Sequence, residues 1–190
     1  MVSTQQLASA FDGVAGFYDD DGRHDEIARR LVATVGALGG VVVDVACGTG
    51  AIARAIVGRA ESILAIDASP AMIARGRAIG PEAGITWQVG SALPLPVADG
   101  SVDVVLCASS LHFLGRAALD DWRRVLKPGG RVGYTLPLRS RFNPSEQFAK
   151  LLATDLTLPE TVEEAYALAE GFEDVTVTVG TDIVITTARR

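Results

Sequence analysis

This chain of 190 residues has little that would tie it to a membrane, a nucleic acid or an oxidising compartment. Lysine and arginine number 17 against 23 aspartates and glutamates, a formal net charge of −6, and no segment carries a basic stripe. A non-specific polyanion binder needs such a stripe, so nucleic acid is not expected as a partner. Cysteine is limited to Cys47 and Cys107, too few for a disulfide framework and suited to a reducing cytoplasm. The first ten residues, MVSTQQLASA, lack both the basic side chain and the apolar core of a secretory leader. No apolar run approaches the ~20 residues of a membrane span, and Asp44 interrupts the longest. Aromatic residues make up only 6%, thin material for stacking on a large flat ligand. Internal repeats and low-complexity linkers are absent too.

What remains is an ordinary globular composition, 48% hydrophobic and 21% charged, at a length that suits one well-buried domain over residues 1–190. Val41–Gly50 reads VVVDVACGTG, an apolar run with one aspartate that breaks into a Gly-Thr-Gly turn. A continuous apolar stretch is the mark of a buried parallel strand, and a Gly-rich exit lets a ligand approach the backbone before the next helix. A second run, ILAID, ends on Asp67. An acidic residue closing the second strand is where nucleotide-binding folds meet a ribose.

The pattern alternates along the chain. Ile27, Leu31, Val35 and Leu38 recur at helical spacing over 25–38, stopped by Gly39-Gly40. Strands are expected at 41–45, 63–66, 85–89, 102–107 and 131–136. Helices are expected at 51–57, at 70–78 behind a Ser69 N-cap with Pro70 at the first helical position, and around Leu119, Trp122 and Val125. Lys127-Pro128-Gly129-Gly130 ends that last helix. After Pro137 two short helices are expected near 148–152 and 162–169. Then 175–179 and 182–186 alternate with period two around Gly180-Thr181, a hairpin.

Two cofactors compete for the Gly turn. Gly48-Thr49-Gly50-Ala51-Ile52-Ala53 satisfies the dinucleotide pattern G-x-G-x-x-G/A, with Asp67 about 20 residues on. Asp44 discriminates: beside a pyrophosphate a second anion is repulsive, whereas beside a cationic ligand it is favourable. S-adenosyl-L-methionine carries a sulfonium and an ammonium and no phosphate, so Asp44 favours it.

At these residues a family resemblance becomes specific. Asp44-Val45-Ala46-Cys47-Gly48-Thr49-Gly50 resembles the first motif, D-x-G-C-G-T-G, of class I S-adenosylmethionine-dependent methyltransferases. Ile66-Asp67-Ala68-Ser69-Pro70-Ala71-Met72 resembles the second. Pro94-Leu95-Pro96, Asp99-Gly100-Ser101-Val102-Asp103, Leu111-His112-Phe113 and Val125–Gly130 follow in order. The similarity runs from about Phe11 to Tyr134. It is closest to the type 11 branch that holds quinone-biosynthesis, malonyl-carrier and trans-aconitate methyltransferases, whose entry segment Phe11-Asp12 with Tyr18-Asp19 matches.

The resemblance implies a Rossmann-like α/β fold: a doubly wound seven-stranded sheet, mostly parallel with an antiparallel strand 7, in the order 3-2-1-4-5-7-6. It implies methyl transfer from S-adenosylmethionine, leaving S-adenosylhomocysteine, to a small-molecule or carrier-bound acceptor. Segment 1–24 would form a lid and 137–171 a substrate-side insertion. Cys107-Ala108-Ser109-Ser110 lacks the Asn/Asp-Pro-Pro-aromatic signature of amino-group methylation, so O- or C-methylation is favoured over N-methylation. Three other classes stay open: a cofactor-binding partner or sensor without catalysis, a nicotinamide-dependent oxidoreductase, and a cofactor-dependent catalyst that does not transfer methyl. The oligomeric state is open as well.

The same resemblance assigns cofactor contacts to Tyr18, Asp44, Ala46, Gly48, Gly50, Asp67, Ala68, Met72, Ser91, Ala92 and Ala108. Each has a plainer alternative. Asp44 would face the ammonium or, failing that, cap the following helix. Asp67 would give its two oxygens to the ribose hydroxyls, satisfying a carboxylate that is costly to bury unpaired. Met72 would touch adenine or simply fill core. Ser91 stands where the family often has an acidic residue, so binding is expected to survive but weaken by about 1 kcal/mol. Tyr18 would lie across the methionine end or anchor a helix entry, while Asp19, Asp20 and Asp21 read as a solvated acidic turn. His112, after the fourth strand, is the candidate base or positioning group, with a ring packed under the N-terminal segment as its alternative. No metal ligands converge.

Overall fold

The computed structural model describes residues 2–80 and 84–190; Met1, the first residue of the expected lid segment, lies outside them. The sheet forms where the apolar runs lie. β1 (Val41–Val45) is buried over four of its five residues and pairs in parallel with β2 (Ser62–Asp67) and β4 (Val102–Cys107). β3 (Ile85–Val89) adds in parallel beyond β2, and β5 (Leu126–Pro137) beyond β4. β7 (Ile183–Arg189) runs antiparallel between β5 and β6 (Glu173–Val179), giving the order β3-β2-β1-β4-β5-β7-β6. This is the expected seven-stranded, mostly parallel sheet.

Helices cover both faces. α1 (Thr4–Asp12) and α2 (Arg23–Val35) precede the sheet, α3 (Ala51–Ala55) follows β1, and α4 (Pro70–Ile79) follows β2. Ile27, Leu31 and Val35 of α2 pack with Ile52, Ile73, Val42 and Leu106 on one face. On the other face α5 (Leu111–Leu114) and α6 (Arg116–Val125) lie over Val43, Val105 and Val132. Trp122 is wholly buried there, with Leu168 of α8 (Val162–Leu168) and Phe172 beside it. Apolar surface is thus removed from water on both sides of the central strands β1 and β4, which are almost wholly buried.

Element ends move where local geometry differs from spacing. α2 stops at Gly36, at φ +79, three residues before the expected Gly39-Gly40. Lys127–Gly130 ends α6 as expected but also opens β5: Leu126 pairs with Val102, and the register then shifts before Val104 meets Arg131. The helix expected at 148–152 is a single turn, α7 (Glu146–Ala149). The hairpin strands run longer, because β7 continues along β5 as far as Arg189.

Candidate functional site

The C-terminal ends of β1, β2 and β3 open into one cleft of about 510 Å3. Strand ends in an open α/β sheet leave a crevice between diverging connections, which is where such folds bind ligands. The turn after β1 contributes Ala46 and Gly48, the end of β2 contributes Asp67 and Ala68, and the loop after β3 contributes Ser91, Ala92 and Leu93. The opposite wall is α1, through Leu7 and Phe11, with Tyr18 just after it. Phe113, Leu114 and residues 152–155 close the remaining side. Among the described residues no lysine, arginine or histidine lines this cleft, and its carboxylates are Asp67 and Asp155.

The turn is built by left-handed backbone: φ is +50° at Ala46, +55° at Gly48 and +84° at Gly50. A side chain at such angles is strained, which is why glycine usually stands where this chain has Ala46. Gly50 has a different reason from the one expected. A Cβ there would sit 2.2 Å from the Trp87 ring, and Gly50 does not line the cleft. Its smallness serves the packing of Trp87, which also presses on Gly76.

Asp67 is 8% exposed and joins the two turns. One carboxylate oxygen accepts from the Gly48 N–H at 2.8 Å and the other from the Ser69 N–H at 2.8 Å. The expectation left both oxygens to ribose; each in fact already holds one backbone donor and keeps a second acceptor position. Burial pushes the Asp67 carboxyl up from its ordinary range, and the N–H groups of Ser69 and Gly48 hold it back.

Asp44 departs further. It lies off the main cleft, 1% exposed, and its Oδ2 accepts from the Ala53 N–H of α3 at 3.0 Å. The capping alternative describes this contact. Burial raises its pKa to about 8 against the pull of that N–H. Its carboxyl borders a second, small cavity of about 20 Å3 shared with Tyr18, His24, Ala46 and Ala108. Ala108 meets the site only here. Tyr18 separates the two spaces, lining both, with its ring stacked on His24 at 3.9 Å and 16°. His24 carries no motif, and its Nδ1 is buried without a partner.

Three expectations need correction. Met72 is fully buried and off the cleft wall, so the core-methionine alternative describes it better than an adenine contact. His112 is 5% exposed and also off the wall, its ring packed against Phe113 at 4.2 Å and Phe142 at 5.0 Å. Desolvation lowers its pKa to about 4, and Phe113 links this aromatic cluster to Phe11 of α1. The acidic turn is not uniformly solvated: Asp19 accepts from Thr49 Oγ1 at 2.7 Å and from Arg75 Nε at 2.9 Å. Asp12 likewise accepts from Ser69 Oγ and the Ala71 N–H. Ser91 does line the cleft, but its hydroxyl donates to the Leu93 carbonyl at 2.6 Å and accepts from the Leu93 N–H.

Residues 43–133 match the methyltransferase domain family. The ubiquinone/menaquinone biosynthesis C-methyltransferase of Rubrivivax gelatinosus is 38% identical over 136 residues, 67% of this chain and 54% of that protein. The chain therefore spans about half the length of that curated relative. Among solved structures, a complex of DhpI with SAH superposes at a TM-score of 0.75, 22% identical, covering 98% of this chain and 96% of that one. The [4+2]-cyclase SpnF superposes equally, at 0.75 and 20% identity, covering 99% and 96%. At these identities the likeness is one of fold.

Proposed function

We propose that this chain, which matches the methyltransferase domain family over residues 43–133, is a class I S-adenosylmethionine-dependent methyltransferase that binds S-adenosylmethionine in the main cleft and methylates a small acceptor on oxygen or carbon. The observation that carries the cofactor reading is the occupation of the Gly turn by carboxylates. Asp67 takes the Gly48 N–H and Asp44 takes the Ala53 N–H, the donors a pyrophosphate would use. A cationic ligand without phosphate suits the Asp67 carboxylate and would draw Asp44, held protonated by burial, toward its charged form; that no cation lines the cleft among the described residues agrees. This counts against a nicotinamide-dependent oxidoreductase.

When bound, S-adenosylmethionine supplies a methyl group made electrophilic by its sulfonium. Asp67 would accept from the ribose hydroxyls with its free lone pairs. Ser91 and Ala92 would border the adenine, the Ser91 hydroxyl being largely committed to its own turn. Tyr18, Ala46 and Gly48 would flank the methionine end, with Asp44 and Ala108 behind Tyr18. Leu7, Phe11 and Phe113, which line the cleft, would exclude water from the reacting atoms, and the chain's main service would be to hold acceptor and methyl in line.

Among the described residues the lining groups that could take a proton are the carboxylates Asp67 and Asp155, and burial holds the Tyr18 phenol far above its ordinary pKa. An acceptor that brings an acidic nucleophile, such as an enol, an acidic hydroxyl or a stabilised carbanion, suits such a lining. With no cation on the lining among the described residues, a carboxylate or phosphate acceptor is disfavoured. The relative named for C-methylation supports the carbon option, and two free thiols suit a cytoplasmic setting. No helix among the described residues is long and apolar enough to cross a membrane. A second reading, a cofactor-binding partner or sensor, draws on the burial of His112 away from the cleft.

Calorimetric titration with S-adenosylmethionine, S-adenosylhomocysteine and NADH tests the cofactor. Binding of the first two, none of the third, and loss of binding in Asp67→Ala is the expected result. NADH binding, or no binding at all, would sink the reading. Methylation of a neutral enol or phenol by the loaded protein then separates enzyme from sensor.

A further inference from the structure

The N-terminal wall of the cleft is fastened to the two turns that frame it by carboxylates. Asp12, at the end of α1, accepts from Ser69 Oγ at 2.5 Å and the Ala71 N–H at 3.1 Å, directly beyond Asp67-Ala68. Asp19 accepts from Thr49 Oγ1 inside the Gly turn and from Arg75 Nε on α4. Of three consecutive aspartates only this one is turned inward. Its side chain is 15% exposed, against 69% for Asp20, and Asp21 spends an oxygen on the Arg23 N–H of its own loop. Thr49 is 1% exposed, so the Thr49–Asp19 bond is shielded from competing water. Such a bond to a carboxylate is stronger than a neutral one.

Tyr18 immediately precedes Asp19. Its Cε1 lies 3.4 Å from where a Cβ on Gly48 would stand, so the ring rests on the turn. Resting on the reading that this cleft holds S-adenosylmethionine, we propose that Asp19 is a positioning residue. By tying Thr49 to Arg75 it holds Tyr18 over Gly48 and sets how long the cofactor stays bound. A ligand seated between Tyr18, Gly48 and Asp67 leaves only when the N-terminal wall lifts. Lifting that wall breaks the Asp19 bonds, and release is slow for as long as they hold.

The test is the rate at which S-adenosylhomocysteine leaves the 190-residue chain, followed by displacement, with the melting temperature measured in parallel. Thr49→Val keeps the shape and removes the hydroxyl. It is expected to speed release about tenfold with association little changed, the effect of one net charge-assisted hydrogen bond. Thr49→Ser keeps the donor and loses a buried methyl group. It should release at the wild-type rate even though it melts lower. A purely packing role for Thr49 predicts the reverse order, with serine the faster. Arg75→Gln opens the other arm, together with the Arg75 bonds to the Gly16 carbonyl and Asp20 in the same segment, and should also speed release. Unchanged release in Thr49→Val and Arg75→Gln, or faster release in Thr49→Ser than in Thr49→Val, overturns the proposal. Wild-type protein that never retains S-adenosylhomocysteine overturns instead the cofactor reading on which it rests.

Discussion

At the scale of single residues, the Gly turn shows two small side chains kept small for different reasons. Ala46 holds a left-handed φ of +50°, a backbone strain that the packing of its methyl group against the core beside β1 offsets only in part. Ala46→Gly should therefore stabilise the protein by about 0.5–1 kcal/mol, offset in part by the freedom glycine has when unfolded. Gly50→Ala goes the other way, because φ +84° and a Cβ 2.2 Å from the Trp87 ring act together. It should cost about 2–4 kcal/mol, since a rigid ring and backbone must both shift. Urea midpoints of the two variants decide both signs. The sequence pattern made Gly48 and Gly50 equivalent members of one motif. Only the packed structure, with Trp87 arriving from β3, assigns one to the cleft and the other to the core.

At the scale of elements, what was legible is what local chemistry determines. β1, β3 and β4 lie where their apolar runs lie, and α4 begins where Ser69 and Pro70 place it. Ser69 accepts from the Met72 N–H at 3.0 Å, an N-cap in the ordinary sense, yet its hydroxyl also donates to Asp12 across the fold. Ser69→Ala should thus cost more than the ~1 kcal/mol of a lost cap, approaching about 2 kcal/mol. Asp12→Ala alone should cost less, and the double variant should fall short of the sum, because the pair shares one bond. A double-mutant cycle in urea measures that coupling. The N-terminal helix is harder to read: α1 carries a capping box at Ser3 and Gln6 but no motif, and Phe11 packs it against Phe113 and Phe148 from far along the chain.

At the scale of the whole molecule, two buried titratable groups tilt stability in opposite directions with pH. Desolvation holds Asp44 protonated up to about pH 8, far above its value in an unfolded chain. Between about pH 4 and 8 the native state therefore binds more protons than the unfolded one, and stability falls as pH rises. His112, driven down to about 4 by burial, stays neutral while the unfolded chain takes up a proton below its ordinary pKa of 6.5. Its contribution rises with pH from about 4 to 6.5 and is flat above. Asp44→Asn should accordingly flatten the loss of stability between pH 6.5 and 8. His112→Leu should leave that window unchanged and, by removing the opposing rise, let stability fall with pH between about 5 and 6.5 as well. Urea unfolding at pH 5, 6.5 and 8 checks both slopes.

The sequence by itself determined the sheet, its order by way of the family motifs, the Gly turn and the acidic end of β2. Hydrophobic period, caps and turn residues act over a few neighbours, so they are written where they work. The tertiary structure alone decided that Asp44 and His112 turn away from the cleft, that Gly50 serves Trp87, and that Asp12 and Asp19 fasten the N-terminal wall. Those assignments depend on which residues from distant segments share a space. Asp19 and Thr49 stand 30 positions apart, and Asp12 and Ser69 stand 57. No local preference reaches across such separations; only the closing of the chain around its sheet brings them within bonding distance.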